Sequence, residues 1–188
     1  MSTTQVLDAT CHANVTYCNG YLSELAKSLI RPENCGLDFN AANPIIRNAY
    51  IALQAYTPIY SAGCLKDPQT SMYCYANAIT NLTNPSNVNI YYLALNVSLQ
   101  GSAVPSCNSC LQQTMNVFQA ATANRKQYLA NTYVSAASQI NLICGPSFVN
   151  ETLAVEIASS AGFRRYDATS SAWAVISIPL VAMLTWLL

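Results

Sequence analysis

Residues 107–122, CNSCLQQTMNVFQAAT, and residues 129–146, LANTYVSAASQINLICGP, decide the fold. In the first, Leu111, Met115, Phe118 and Thr122 recur at helical spacing; in the second, Leu129, Tyr133, Ala137, Ile140 and Cys144 do the same. Gly145 and Pro146 then end the second run as a helix C-terminus usually ends. The connection around Ala123 and Asn124 is short, so the two helices are expected to pack antiparallel. Such a hairpin sets the start of one helix beside the end of the other, which predicts a disulfide from Cys107 or Cys110 to Cys144.

Upstream, Cys18, Tyr21, Leu22, Leu25, Leu29 and Ile30 mark a helix that stops at Arg31 and Pro32, where proline forbids continuation. Asn43 followed by Pro44 is an N-cap with proline in the first helical position, and Ile46, Ala49, Tyr50 and Leu53 line one face until Thr57 and Pro58. Gly63 to Pro68 reads as a turn, and Met72 to Thr80 is ambiguous between a short helix and a strand. Leu93, Leu95, Val97 and Leu99 alternate with Ala94, Asn96 and Ser98, which predicts an extended segment with Asn96 facing water. A short last helix is expected from Phe148 to about Ser159. The fold class is therefore mainly α: one disulfide-stapled helical domain over residues 1–158, with a short extended or two-stranded β element.

Composition limits the function. Eight Lys and Arg balance eight Asp and Glu, and His12 is the only histidine, so no basic field exists to attract nucleic acid. The 52% apolar content excludes a disordered chain. The acids Asp8, Glu24, Glu33, Asp38, Asp67, Glu151 and Glu156 form no paired catalytic motif, His12 stands in a terminal segment beside Cys11, and no GxSxG, HExxH or glycine-rich phosphate loop occurs. An enzyme is not expected, nor is a cofactor. Among twelve tyrosines, Tyr73, Tyr75, Tyr91 and Tyr92 bracket the middle of the chain; such clusters bind sugars or sterols, or bury their rings with the hydroxyl at the surface.

The even set Cys11, Cys18, Cys35, Cys64, Cys74, Cys107, Cys110 and Cys144 suits disulfides made in an oxidising compartment. Zinc would need four ligands, and no second CxxC or histidine cluster joins Cys107 and Cys110, so no metal is expected. Further pairings read from position are a local staple between Cys64 and Cys74, and a closure of Cys35 on Cys11 or Cys18. Four N-glycosylation acceptors, Asn14, Asn81, Asn96 and Asn150, agree with passage through the secretory pathway.

The C-terminus points the same way. Ala172 to Leu188 is an uncharged apolar stretch, which as a helix reaches roughly 25 Å against a hydrocarbon core of roughly 30 Å. Before it lie small residues, Ser159 to Gly162, and a polar spacer, Phe163 to Ser171. These are the three parts of a GPI-attachment signal, so residues 159–188 are assigned to it, with Ser160 the expected attachment residue and Ser159 the second choice. The rival is a retained single-pass anchor, but Arg164 and Arg165 lie on the wrong side for one. Met1 to Thr10 has neither the basic nor the apolar region of a signal peptide, so none is present in this sequence. Either the start is truncated or misassigned, or the secretory reading fails.

The runs from Met72 to Thr80, Tyr91 to Leu99, Cys107 to Met115 and Ile140 to Asn150 resemble a family of uncharacterised fungal cell-surface proteins with a domain of unknown function. The resemblance covers roughly Cys18 to Asn150. It implies a secreted, cysteine-rich, GPI-anchored protein of the wall or plasma membrane, and it carries over no functional residue. The leading expectation is a noncatalytic surface protein whose partners are the membrane, through its anchor, and wall polysaccharide or surface proteins. The alternatives are a surface binder of an apolar small molecule or lipid, and a thiol oxidoreductase using Cys107 and Cys110.

Overall fold

The computed structural model describes residues 2–157. The assigned GPI signal over residues 159–188, with Ser159 and Ser160, lies outside the described residues.

The hairpin forms as its sequence predicts. Helix α7 (Ser109–Ala121) is capped by Asn108, whose side chain accepts from the Leu111 amide at 2.9 Å, and α8 (Leu129–Cys144) ends at Gly145 with φ 100°. Leu111, Met115 and Phe118 on α7 meet Leu129, Tyr133, Ala137 and Ile140 on α8 in one buried cluster. Phe118, Met115, Leu129, Tyr133 and Ile140 expose nothing measurable, and each fully buried apolar side chain contributes about 1.5–3 kcal/mol. Cys107, just before α7, bonds Cys144 at the end of α8 with 5.5 Å between their Cα atoms, which fixes the pair as antiparallel.

The run expected to be extended, Leu93 to Leu99, is divided: Leu93–Leu95 close a 3₁₀ helix, Pro85–Leu95, started by Asn84 and Pro85 and ended by Asn96 at φ 63°, and residues 97–100 follow outside any regular element. A 3₁₀ turn takes three residues, so side chains three apart stack. Ile90 with Leu93, and Tyr91 with Ala94, are buried in two such rows. Asn96 does face water, from the left-handed backbone position that asparagine tolerates. The β component reduces, among the described residues, to one antiparallel bridge between Lys66 and Tyr73. Met72 to Thr80 resolves into α6 (Cys74–Thr80).

The last expected helix, from Phe148, is instead an irregular strap over residues 146–157. Its backbone groups bond to the hairpin rather than to each other. The Gln112 and Gln119 side-chain amides donate to the Phe148 and Thr152 carbonyls, Ala154 N–H donates to Thr122 Oγ1, and Ile157 N–H donates to the Ala123 carbonyl. Asn141 grips Val149 in both directions, donating to its carbonyl and accepting from its amide, each at 2.9 Å. With those partners the strap's backbone has no need of a helix.

The N-terminal half is built differently. It comprises α1 (Thr3–Cys11), α2 (Val15–Leu29), α3 (Gly36–Asn40), α4 (Pro44–Gln54) and α5 (Tyr56–Gly63). Helices α1, α3 and α5 were not anticipated. Pro58 ends nothing: it stands third in α5, within the first turn, where a proline costs no hydrogen bond. At the α2–α3 turn Gly36 is obligatory, because a Cβ there would lie 2.7 Å from both the Ile30 and Arg31 carbonyl oxygens.

Six cysteines form three bridges: Cys11–Cys64, Cys74–Cys110 and Cys107–Cys144. The expected Cys64–Cys74 staple is absent because the loop between them closes on itself. Cys74 N–H donates to the Leu65 carbonyl, Asp67 N–H to the Met72 carbonyl, and Asp67 Oδ1 accepts from the Gln69 and Thr70 amides. Cys64 caps α5 and bonds the end of α1, while Cys74 opens α6 and bonds α7. Cys18 and Cys35 are unpaired, a correction to the full set expected. Cys35 N–H bonds the Leu29 carbonyl at the end of α2, whereas Cys18 lies eleven residues, roughly 16 Å of helix, before Leu29, beyond the reach of a disulfide.

Candidate functional site

Four elements leave a cavity of about 270 Å³ between them. Helix α5 presents Tyr56, Ile59, Tyr60 and Gly63 at spacings of three and four, which is one face of an α-helix. The 3₁₀ helix contributes Tyr91, Tyr92 and Leu95, with Tyr92 and Leu95 stacked three apart. Tyr75 comes from α6, and Leu7 and Thr10 from α1. Helix α1 is held in place by the Cys11–Cys64 bridge and by the Tyr73 hydroxyl, which donates to Asp8 Oδ1 at 2.8 Å.

No carboxylate, amine or guanidinium lines the cavity. Much of its hydroxyl chemistry is already engaged: Tyr60 donates to the Cys11 carbonyl at 2.8 Å and Thr10 to the Val6 carbonyl at 2.8 Å. Burial pushes the Tyr91 hydroxyl above its ordinary pKa, which a hydrogen bond with Thr114 partly offsets. Burial, and then a hydrogen bond with Cys18, raise that of Tyr56. Tyr75 and Tyr91 meet edge to face with 4.8 Å between ring centroids, and Tyr56 and Tyr60 are tilted at 5.8 Å. The chamber can hold apolar matter, and the tyrosine and Thr10 hydroxyls are the exchangeable groups in its lining.

A second recess, about 80 Å³ and polar, lies beside the Cys74–Cys110 bridge among Asp67, Asn77, Asn81, Asn87 and Asn108. The amides of Gln69 and Thr70 hold the Asp67 carboxyl below its ordinary range.

The structure scatters several residues singled out in the sequence. Cys107 and Cys110 belong to different bridges, so the CxxC is no dithiol couple and the oxidoreductase alternative is overturned. His12 caps α1 on the surface, away from the cavity lining. Of the four tyrosines noted, Tyr75, Tyr91 and Tyr92 converge on the cavity, while Tyr73 turns to Asp8 and lies under the Lys66 amine, 4.7 Å from its ring centroid. Tyr56, Ile59, Tyr60 and Gly63 were missed because Pro58 hid the helical face they share. Asn14, Asn96 and Asn150 are exposed and Asn81 is half-buried. Among the described residues, every hydrogen bond to these four side chains ends on Oδ1, leaving each Nδ2 free.

No group of three metal-ligating side chains occurs among the described residues, and no helix there is long and apolar enough to cross a membrane. No curated protein and no solved structure matches the chain. A family model described as a domain of unknown function (DUF7729) matches residues 1–153, a span that takes in all three bridges and the whole cavity lining. The chain therefore belongs to the family defined by the DUF7729 domain.

Proposed function

We propose that this chain is a noncatalytic, exported domain displayed at the cell surface or in the cell wall through a GPI anchor. The observation that carries the reading is the set of three bridges joining residues 53, 36 and 37 positions apart. Crosslinks of that span, tying separate helices, form and persist in oxidising compartments. The free Nδ2 atoms of Asn14, Asn81, Asn96 and Asn150 agree with glycosylation on the same route. The small residues, polar spacer and apolar tail of residues 159–188 supply the anchor signal, with attachment at Ser160 or Ser159. Its partners are then the outer membrane leaflet and, in the wall, polysaccharide or neighbouring surface proteins.

The test is phosphatidylinositol-specific phospholipase treatment of cells expressing the chain behind a signal peptide, followed by mass mapping of the released C-terminus. The reading expects release and a last peptide ending at Ser160 or Ser159. Protein that stays in the membrane fraction and still carries Trp186 contradicts it.

A further inference from the structure

We infer that the tyrosine-lined cavity binds one uncharged hydrocarbon chain, as in a fatty alcohol or monoacylglycerol. This goes beyond the surface-domain reading and stands or falls apart from the anchor. Three observations carry it. First, the chamber measures about 270 Å³, just below the roughly 300–1,000 Å³ of ligand pockets, which suits one chain better than a two-chain lipid. The recess opens to solvent, since Thr10 and Tyr92 in its wall are exposed, and an apolar guest would cover apolar surface that water otherwise wets.

Second, the lining sets the ligand's polarity. Leu7, Ile59 and Leu95 face tyrosine rings, and no cation is present to hold a carboxylate or phosphate. Nor is there an anion to hold an amine. Tyr60 and Thr10 spend their hydroxyls on backbone carbonyls, so a sugar would lose its water without gaining comparable hydrogen bonds.

Third, Gly63 opens onto the cavity without any backbone or packing reason to be glycine. Its φ is not positive, and a Cβ built on it meets no atom within 4 Å. Glycine in a helix is less favourable than alanine by roughly 0.5–1 kcal/mol, so what the missing side chain provides here is room.

The experiment uses the full chain exported with its bridges intact and the uncharged probe N-phenyl-1-naphthylamine, read by fluorescence. The expected result is saturable binding at one site, displaced by 1-decanol, with decanoate and decylammonium weaker by about tenfold or more. Gly63→Leu should weaken the probe by about tenfold or more while leaving the melting temperature unchanged or higher. Because a variant can misfold, Tyr92→Ser, at a wall residue already 44% exposed, serves as the second, with binding reduced and helicity retained. Absence of saturable binding to the bridged wild-type chain overturns the inference. So does undiminished binding in a folded Gly63→Leu protein, and decanoate competing as well as decanol overturns the uncharged assignment.

Discussion

The two halves of this domain are held together by different means. From α6 to the strap, Phe118, Met115, Leu129, Tyr133 and Ile140 are wholly buried, two bridges tie the helices together, and side chains of α7 and α8 hold the irregular C-terminal segment. From α1 to α4 the buried apolar side chains are few: Leu7, Ala26 and Ile51. Tyr17, Tyr21, Leu25, Leu37 and Ile45 face water. Helix α5 joins the halves, since its Ala62, with Ala55 just before it, belongs to the large core cluster. The difference teaches that the hairpin half is stabilised by packing, while the N-terminal half depends on one long-range bridge and hydrogen bonds. The cavity lies where the two meet, in the place where packing is least complete.

The sharpest way to break the comparison is a core truncation in each half. Phe118→Ala should cost about 3–5 kcal/mol in urea unfolding, and Ile51→Ala about 2 kcal/mol, the low end for a buried isoleucine. Equal costs would mean that the N-terminal half is as well packed as the hairpin. Removing bridges separates the halves further. On the chain-entropy account each of the three loops contributes about 4 kcal/mol. Cys107→Ser with Cys144→Ser should lower global stability, whereas Cys11→Ser with Cys64→Ser should chiefly release hydrogen-exchange protection in α1 and leave α7 and α8 protected.

Two glycines give a finer contrast. Gly36→Ala should destabilise by about 1–3 kcal/mol, because its Cβ would press on two carbonyl oxygens at 2.7 Å. Gly63→Ala should be neutral or stabilising by about 0.5–1 kcal/mol in thermal melts. The smallest expected effect is alkaline. Burial pushes the Tyr133 hydroxyl up from 10.0 to about 12, and that hydroxyl donates to the Asn150 carbonyl at 2.6 Å. A raised folded pKa means that this stabilisation is complete below pH 10.0 and is lost as pH rises through about 12. Urea midpoints should fall over that window, and Tyr133→Phe should flatten the fall.

Much of the hairpin half was legible because its signals are local. Helical spacing from Leu111 and Leu129, the Gly145-Pro146 stop and the short turn together place Cys107 beside Cys144, and that bridge is present. The other bridges were not legible, since Cys64 and Cys74 are near in sequence but each bonds a cysteine 36 or more residues away, a choice made by tertiary packing. Alternation from Leu93 to Leu99 misled because the run straddles a boundary: Leu93 and Leu95 close the 3₁₀ helix, while Val97 and Leu99 lie beyond it in irregular chain. The cavity was half visible: Tyr75, Tyr91 and Tyr92 stood out as a cluster, but their partners Tyr56 and Tyr60 lay behind a proline read as a stop. Whether a proline ends a helix or begins one depends on the residues that cap it, and here Ala55 serves both helices with no side-chain cap to advertise the second.

The central claim is an oxidised domain stapled between distant helices. Its most direct test is peptide mapping of the unreduced, alkylated protein by mass spectrometry. The account predicts linked peptides for Cys11 with Cys64, Cys74 with Cys110 and Cys107 with Cys144, and alkylated Cys18 and Cys35. Recovery of all eight cysteines alkylated, or of a bond between Cys107 and Cys110, would contradict it.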